Sequence, residues 1–341
     1  MKRSAAQDVV LTLIISAFLI WLMPLLISTY TLTVLVIYGM LGLSLGLIWG
    51  FGGILCFGQA AFFGLGAYTY AIAAINIGES TVPMILAVLV PAAFAALLGA
   101  MMFYGRLTDV YLGVITLVVT LILFKFVNST AGPQYMIGKA RIGGFNGIPG
   151  FQTLNVPGDP EAYIWGDPYF YFCAVALVLV FLLVTALLRS SFGRIAIGIR
   201  ENETRMSLMG YDVAARKTVL FSVGAAIAGL AGALFANWGE IVTPTLFSLG
   251  QSAEIIIWCI VGGLGTRLGP IIGAAGLAYL KFLLGQQSMI DNTLITGLIL
   301  VLFVLFLPKG LVPAVAGLLR ATFGRVRRRA VPRRVRRSRH A

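Results

Sequence analysis

Histidine is all but missing from the 341 residues, with a single copy at His340, and cysteine occurs three times, at Cys56, Cys173 and Cys259. The cysteines lie far apart, inside apolar runs and without metal-ligand spacing. They read as small lipid-facing or core-facing residues, and no disulfide framework is implied. Charge is scarce as well: 11% of residues are charged, where an ordinary soluble domain carries roughly a quarter. A phosphate-binding loop is missing; its nearest approach, "GKA" at 138–140, has neither the Ser or Thr after Lys nor the preceding glycine spacing. With one histidine and no paired carboxylates in a polar setting, there is no hydrolytic constellation. The chain therefore reads as a non-enzyme that needs no cofactor or metal, and any energy it uses comes from another subunit.

What the sequence has is apolar length. It is 59% hydrophobic with a mean hydropathy of +0.96, and runs of about twenty apolar residues, each enough to cross a hydrocarbon core of about 30 Å as a helix, recur from end to end. Continuous apolarity such as "VITLVVTLILF" at 114–124 argues against a barrel, whose strands alternate with period two. The expected fold class is an all-α integral membrane protein of about ten transmembrane helices, at 9–29, 32–49, 54–76, 82–104, 110–130, 167–188, 217–238, 249–265, 268–285 and 291–308. The first run follows Lys2 and Arg3 but lacks a small-residue cleavage pattern, and it reads as a retained helix.

Cytoplasmic loops hold excess Lys and Arg. With Lys2 and Arg3 inside, an even number of crossings returns Arg106, the loop 189–216, Arg267 and the basic C-terminal tail to the inside. Both termini are thus expected in the cytoplasm. The Gly- and Pro-rich loop 131–166 falls outside and reads either as a cover over the outer mouth or as a plain external loop. Residues 1–310 form the polytopic domain; 311–341 form a tail whose ten arginines from Arg320 to Arg339 suit anionic membrane lipid. Nucleic acid is not expected as a partner, since no reading module accompanies the tail.

Glycine is concentrated in two places. In "WGFGGILCFGQAAFFGLGAYTY" (49–70), Gly50, Gly52, Gly53, Gly58, Gly64 and Gly66 are more glycine than a uniform helix tolerates. Two readings stand: close packing of helices, or a broken or re-entrant segment beside a transport pathway, with Gln59 as its amide. "VGGLGTRLGPIIGAAGLAY" (261–279) echoes the first cluster, as an internal repeat does. Charges within the expected spans are few. Lys125, Lys281 and Asp291 lie near span ends, where long side chains snorkel or meet water; Glu254 alone is a candidate to face an internal cavity, and it too lies near an outer end. This offers little chemistry for an ion-driven carrier.

The longest polar run is "SSFGRIAIGIRENETRMSLMGYD" at 190–212. "RENETRMSLMGYD" reads as one short amphipathic helix with Met206, Leu208 and Met209 on its apolar side, stopped at Gly210. It reads as a docking element or as a solvated connector. The stretches "FGRIAIGIRENETRMSLMGYDVAARKTVLFSVGAAIAGLAGALFA" (192–236), "GGILCFGQAAFFGLGAY" (52–68) and "VGGLGTRLGPIIGA" (261–274) settle the preference, because over about 30–310 the chain resembles the branched-chain amino acid permease family of ATP-binding cassette importers, M-type subunit.

That resemblance implies a permease subunit in a bacterial inner membrane, working with cytosolic ATPase subunits, a second permease subunit in a heterodimer, and a periplasmic or lipid-anchored substrate-binding protein. It implies that Gly193, Arg194, Arg200, Glu201, Asn202, Glu203 and Gly210 belong to the segment that couples to the ATPase. Met206 stands where relatives tend to have Ala, and the Arg-rich tail has no counterpart. The substrate pathway is expected along Gly53, Phe57, Gly58, Gln59, Gly64 and Tyr68. Branched-chain amino acids are the expected cargo. Urea or short amides, and a stand-alone channel or secondary carrier, are the alternatives.

Overall fold

The computed structural model describes residues 5–285, 297 and 310–314. The expected span 291–308, Asp291 and the arginine tail lie outside these residues. The described chain is mostly helical: α1 (Ala5–Leu22), α2 (Thr29–Leu45), α3 (Gln59–Ile77), α4 (Thr81–Tyr104), α5 (Asp109–Ser129), α6 (Asp167–Arg189), α7 (Ser191–Glu201), α8 (Glu203–Leu208), α9 (Val213–Gly239), α10 (Leu249–Gly262) and α11 (Gly269–Gly285).

Among the described residues six helices are long and apolar enough to cross a membrane, namely α2 with its continuation to Phe51, α3, α4, α5, α6 and α9. The expected count of ten is not confirmed among the described residues, where three of the expected spans are shorter or interrupted. The first expected span is α1 followed by a 3-10 turn, Met23–Leu25, where Pro24 cannot donate to a continuing helix. The runs 249–265 and 268–285 form α10 and α11, of 14 and 17 residues. At 1.5 Å per residue α10 reaches about 21 Å, short of a hydrocarbon core. Ser248 caps its start by accepting from the Gln251 amide, and at its end Gly263 takes φ +111, a value that ordinary side chains avoid.

Burial sorts the helices. In α2 83% of the most apolar stretch is buried, and in α3 and α9 67%, against 22% in α4 and 28% in α5. The last two turn most of their surface outward, as lipid-facing helices do, while α2, α3 and α9 make the core. Close backbone approach holds that core together, the means available when no hydrophobic drive separates helix from lipid. A Cβ on Gly66 of α3 would lie 2.2 Å from the Gly229 carbonyl of α9, and one on Gly232 of α9 would lie 2.0 Å from the Phe63 carbonyl of α3. Helix α4 joins this pair through Pro91, which packs against α9 and leaves the Ala87 carbonyl without its helical donor. A second group forms where Pro270 of α11 seats against the glycine face of α2 and Cys259 of α10 donates to the Gly42 carbonyl at 3.3 Å. All three cysteines are buried and free.

Residues 131–166 fold back over one end of the bundle. They contribute two short hairpins, β1 (Met136–Ile137) with β2 (Ala140–Arg141) and β4 (Asn155–Val156) with β5 (Asp159–Tyr163), while β3 (Ile148–Pro149) pairs antiparallel with β6 (Ile241–Val242) just past α9. Asn76 at the end of α3 fastens the loop, donating to the Ile137 carbonyl and accepting from the Lys139 amide. Ser80 and Asn155 bond to each other in the same region.

Candidate functional site

Helix α2 does not end cleanly. Its last turns widen into a π-helical stretch, Gly46–Phe51, and the chain then leaves helix altogether until α3 begins at Gln59. The segment 51–58 alternates between part-buried and buried residues, as an extended chain does, and it runs inside the bundle rather than over its surface. Of the two readings of this glycine-rich stretch, the break is the one observed, with close packing beside it. A buried break needs partners for its freed amides. The amides of Gly52, Gly53 and Ile54 donate to the carbonyls of Leu47, Trp49 and Ile48, and the Phe57 amide donates to Thr116 Oγ1 of α5 at 3.1 Å.

The expected pathway residues fall along this break and the face of α3 that follows it. Gly53, at φ +69, lies under the stem of Arg200. Phe57 packs on Gly113 of α5, and a Cβ on Gly58 would lie 2.3 Å from the Thr116 carbonyl. Gln59 is 1% exposed, and its Nε2 donates to Ser44 Oγ at 2.8 Å and to the Gly224 carbonyl at 3.4 Å. Its Oε1 accepts from Cys56 Sγ. The amide thus ties α2, α3 and α9 together. Further along, the Phe247 ring, from a 3-10 turn Pro244–Phe247 after β6, covers Gly64 and lies 5.5 Å from the ring of Tyr68. The Tyr68 hydroxyl is buried without a partner among the described residues.

The polar run 190–212 sits at the opposite end from the 131–166 loop. The single amphipathic helix expected there is two helices, α7 and α8, bent at Asn202, which is extended at φ −161 and caps α8 by accepting from the Arg205 amide. Asn side chains favour such a cap over a continuing helix. Gly193 lies in the first turn of α7, where its amide donates to Ser190 Oγ, and Arg194 returns to the Arg189 carbonyl at 2.8 Å. Glu201 is exposed, Glu203 pairs with Lys217 of α9 at 2.5 Å, and Gly210 follows α8. The apolar side expected of Met206, Leu208 and Met209 is not packed inward as a whole: Met206 rests against Gly198, but Leu208 is 85% exposed and Met209 64%.

Arg200 joins the two regions. From the last turn of α7 its Nη1 donates to the Gly50 carbonyl in the π-helical stretch, at 2.5 Å across 150 residues of sequence. Gly265, in the α10–α11 turn, lies beside the same guanidinium and against Gly50. Both glycine clusters therefore meet at one cation on the polar segment. Sequence reasoning placed Arg200 in the coupling set but missed its target, as well as Thr116 and Ser44, because a carbonyl freed by a π turn leaves no mark in residue type.

Residues 27–307 match the family described as branched-chain amino acid transport system / permease component. The high-affinity branched-chain amino acid transport system permease protein LivM of Salmonella typhimurium is 31% identical over 302 residues, covering 82% of this chain and 69% of its own. The protein of the same name in Escherichia coli is 31% identical over 314 residues, 85% of this chain and 72% of its own. A probable branched-chain amino acid transport permease protein LivM of Methanocaldococcus jannaschii is 22% identical over 326 residues, 81% of this chain and 90% of its own. No solved structure matches.

Proposed function

The chain belongs to the branched-chain amino acid transport permease family, and from that membership we propose that it is the membrane-spanning permease subunit of an ATP-binding cassette importer for branched-chain amino acids. It sits multi-pass in a bacterial cytoplasmic membrane, with both termini and the 189–216 loop in the cytoplasm and the 131–166 loop outside. A second permease subunit completes the pathway, a periplasmic or lipid-anchored binding protein delivers the solute, and cytosolic ATPase subunits supply the energy.

One observation carries this reading: the polar segment α7–α8 is fastened by Arg200 to the break between α2 and α3. A surface that receives work from a partner must be joined to something that can yield, and a buried non-helical stretch is such a place. Gly193, Arg194, Arg200, Glu201, Asn202, Glu203 and Gly210 build the segment, and Leu208 and Met209 give it an apolar tip for the ATPase surface. Beside the tip a cleft of about 820 Å³, lined in part by Arg106, Asp109, Glu203, Thr204 and Ser207, offers room for a partner side chain. The solute path follows Gly53, Phe57, Gly58, Gln59, Gly64 and Tyr68.

The test is co-purification. Leu208→Glu alters an exposed side chain with no packing to lose, so the chain should reach the membrane at its normal level while ATPase recovery with it falls about tenfold, as a charge set against an apolar interface does. Unchanged recovery together with unchanged uptake would refute docking at α8. Reversal at Glu203 is a poorer probe, since it also sets a second cation against Lys217.

A further inference from the structure

At the end of the bundle that carries the 131–166 loop, a cleft of about 530 Å³ opens between α2, α9, α10 and α11. Its volume falls within the range of small-molecule sites. Tyr30, Tyr38 and Trp238 form aromatic walls. The rings of Tyr30 and Trp238 are 4.8 Å apart, and Trp238 Nε1 donates to the Tyr30 carbonyl at 3.0 Å, which fixes that wall. In the same cleft Lys281 Nζ donates to Glu254 Oε1 at 2.5 Å, with the side chains 44% and 24% exposed. Lys281 lies near the end of α11, as expected, and it meets Glu254 there. Gln251, one turn before Glu254, also lines the cleft, and its Nε2 is buried with no partner among the described residues.

A pair of opposite charges between short apolar helices is not needed to hold them, since apolar residues of similar volume do so as well or better. A part-exposed ion pair in the wall of a cleft instead keeps both charges within reach of a solute. We infer that this cleft binds the zwitterionic head of an α-amino acid, with Glu254 meeting the ammonium group and Lys281 the carboxylate. An α-amino acid carries both charges on one carbon, so it exchanges the protein's own ion pair for two new ones. The Gln251 amide donates to the ligand carboxylate as well, and the aromatic faces beside Glu254 favour the cation. Urea or a short amide has no charge to offer either group. The inference rests on the permease reading and names the place where this chain holds the solute.

The test uses the complete transporter, purified with its ATPase, second permease subunit and binding protein and reconstituted in proteoliposomes, with L-leucine as the probe. The double variant Glu254→Leu/Lys281→Leu removes both charges without stranding either. The expected result is normal assembly and ATP hydrolysis, with leucine uptake lowered about tenfold or more, as the loss of a charge-assisted contact predicts. Normal leucine uptake in the double variant overturns the assignment while leaving the permease reading intact. A wild-type chain that assembles with no ATPase sinks the permease reading instead. If the double variant fails to assemble, Glu254→Gln decides: the inference requires a raised half-saturation for leucine with the maximal rate kept, and an unchanged half-saturation overturns it.

Discussion

Replacing Arg200 by Ala cuts the link between the polar segment and the break. The guanidinium donates to the Gly50 carbonyl at 2.5 Å, and its stem covers Gly53. A charge-assisted bond is worth about 1.5–3 kcal/mol when enclosed, and exposure of Arg200 to solvent lowers that to about 1–2 kcal/mol. Helix α7 does not depend on the bond. Ser190 caps it, and Ala196 and Ile199 bury its inner face. The variant should therefore fold, assemble and hydrolyse ATP at a near-normal rate. What it loses is about 1–2 kcal/mol of coupling free energy, a factor of about 5–30 in the equilibrium that ATP binding biases. The assay is leucine accumulated per ATP hydrolysed in proteoliposomes, which should fall by about that factor, with Arg200→Lys intermediate because a single ammonium replaces the fork. Gly53→Ala attacks the same junction from the other side: its Cβ would lie 2.9 Å from Arg200 Cγ, at a backbone φ of +69 that resists any side chain. An unchanged ratio of uptake to hydrolysis in both variants would refute the idea that this junction carries the coupling.

Gln59→Leu removes the bonds to Ser44 and Gly224 while keeping the bulk. It should lower stability by about 0.6–1.5 kcal/mol, read as a drop in the thermal midpoint of the detergent-solubilised protein. Normal uptake kinetics in that variant would remove Gln59 from the solute path and leave it a structural tie. Gly66→Val sets a side chain against the Gly229 backbone and should abolish membrane accumulation, whereas Gly276→Ala, with nothing within 4 Å, should be neutral or slightly stabilising. Equal expression of the two would contradict the close-packed core.

Hydropathy makes the class plain because apolar length is a local property, and the glycines of 50–58 foretell trouble for a helix because each lacks a side chain. Neither reveals what the chain does instead. Apolar run length counts 249–265 as a span, yet the backbone turns at Gly263 after 14 helical residues. Periodicity draws one helix over "RENETRMSLMGYD", yet Asn202 gains more as a cap than as a helical residue. The use of Gln59 depends on Gly224, 165 residues away, and Glu254 meets Lys281 only because α10 and α11 form a hairpin. These are contacts between elements, and no window of sequence contains both partners.

The glycine contacts also explain why movement, if coupling drives any, belongs at the break. Within the group α3, α4 and α9, and within the group α2, α10 and α11, backbones touch through residues whose Cβ has no room. Such groups shift as units, because a small separation forfeits a large share of their dispersion contact. Between the groups Gly224 of α9 also closes on Ile48 and the Ser44 carbonyl of α2, and side-chain hydrogen bonds are added to that packing. The Gln59 amide joins the two groups, while the Thr116 hydroxyl that receives the Phe57 amide and the Arg200 guanidinium on the Gly50 carbonyl tie α5 and α7 to the break. Hydrogen bonds of this sort are exchanged for others at little net cost, whereas close-packed backbone has no substitute partner. A π-helical stretch, with its carbonyls displaced from α-helical partners, already presents acceptors for such exchange. The polar segment is thus fastened to a break that presents acceptors for such exchange.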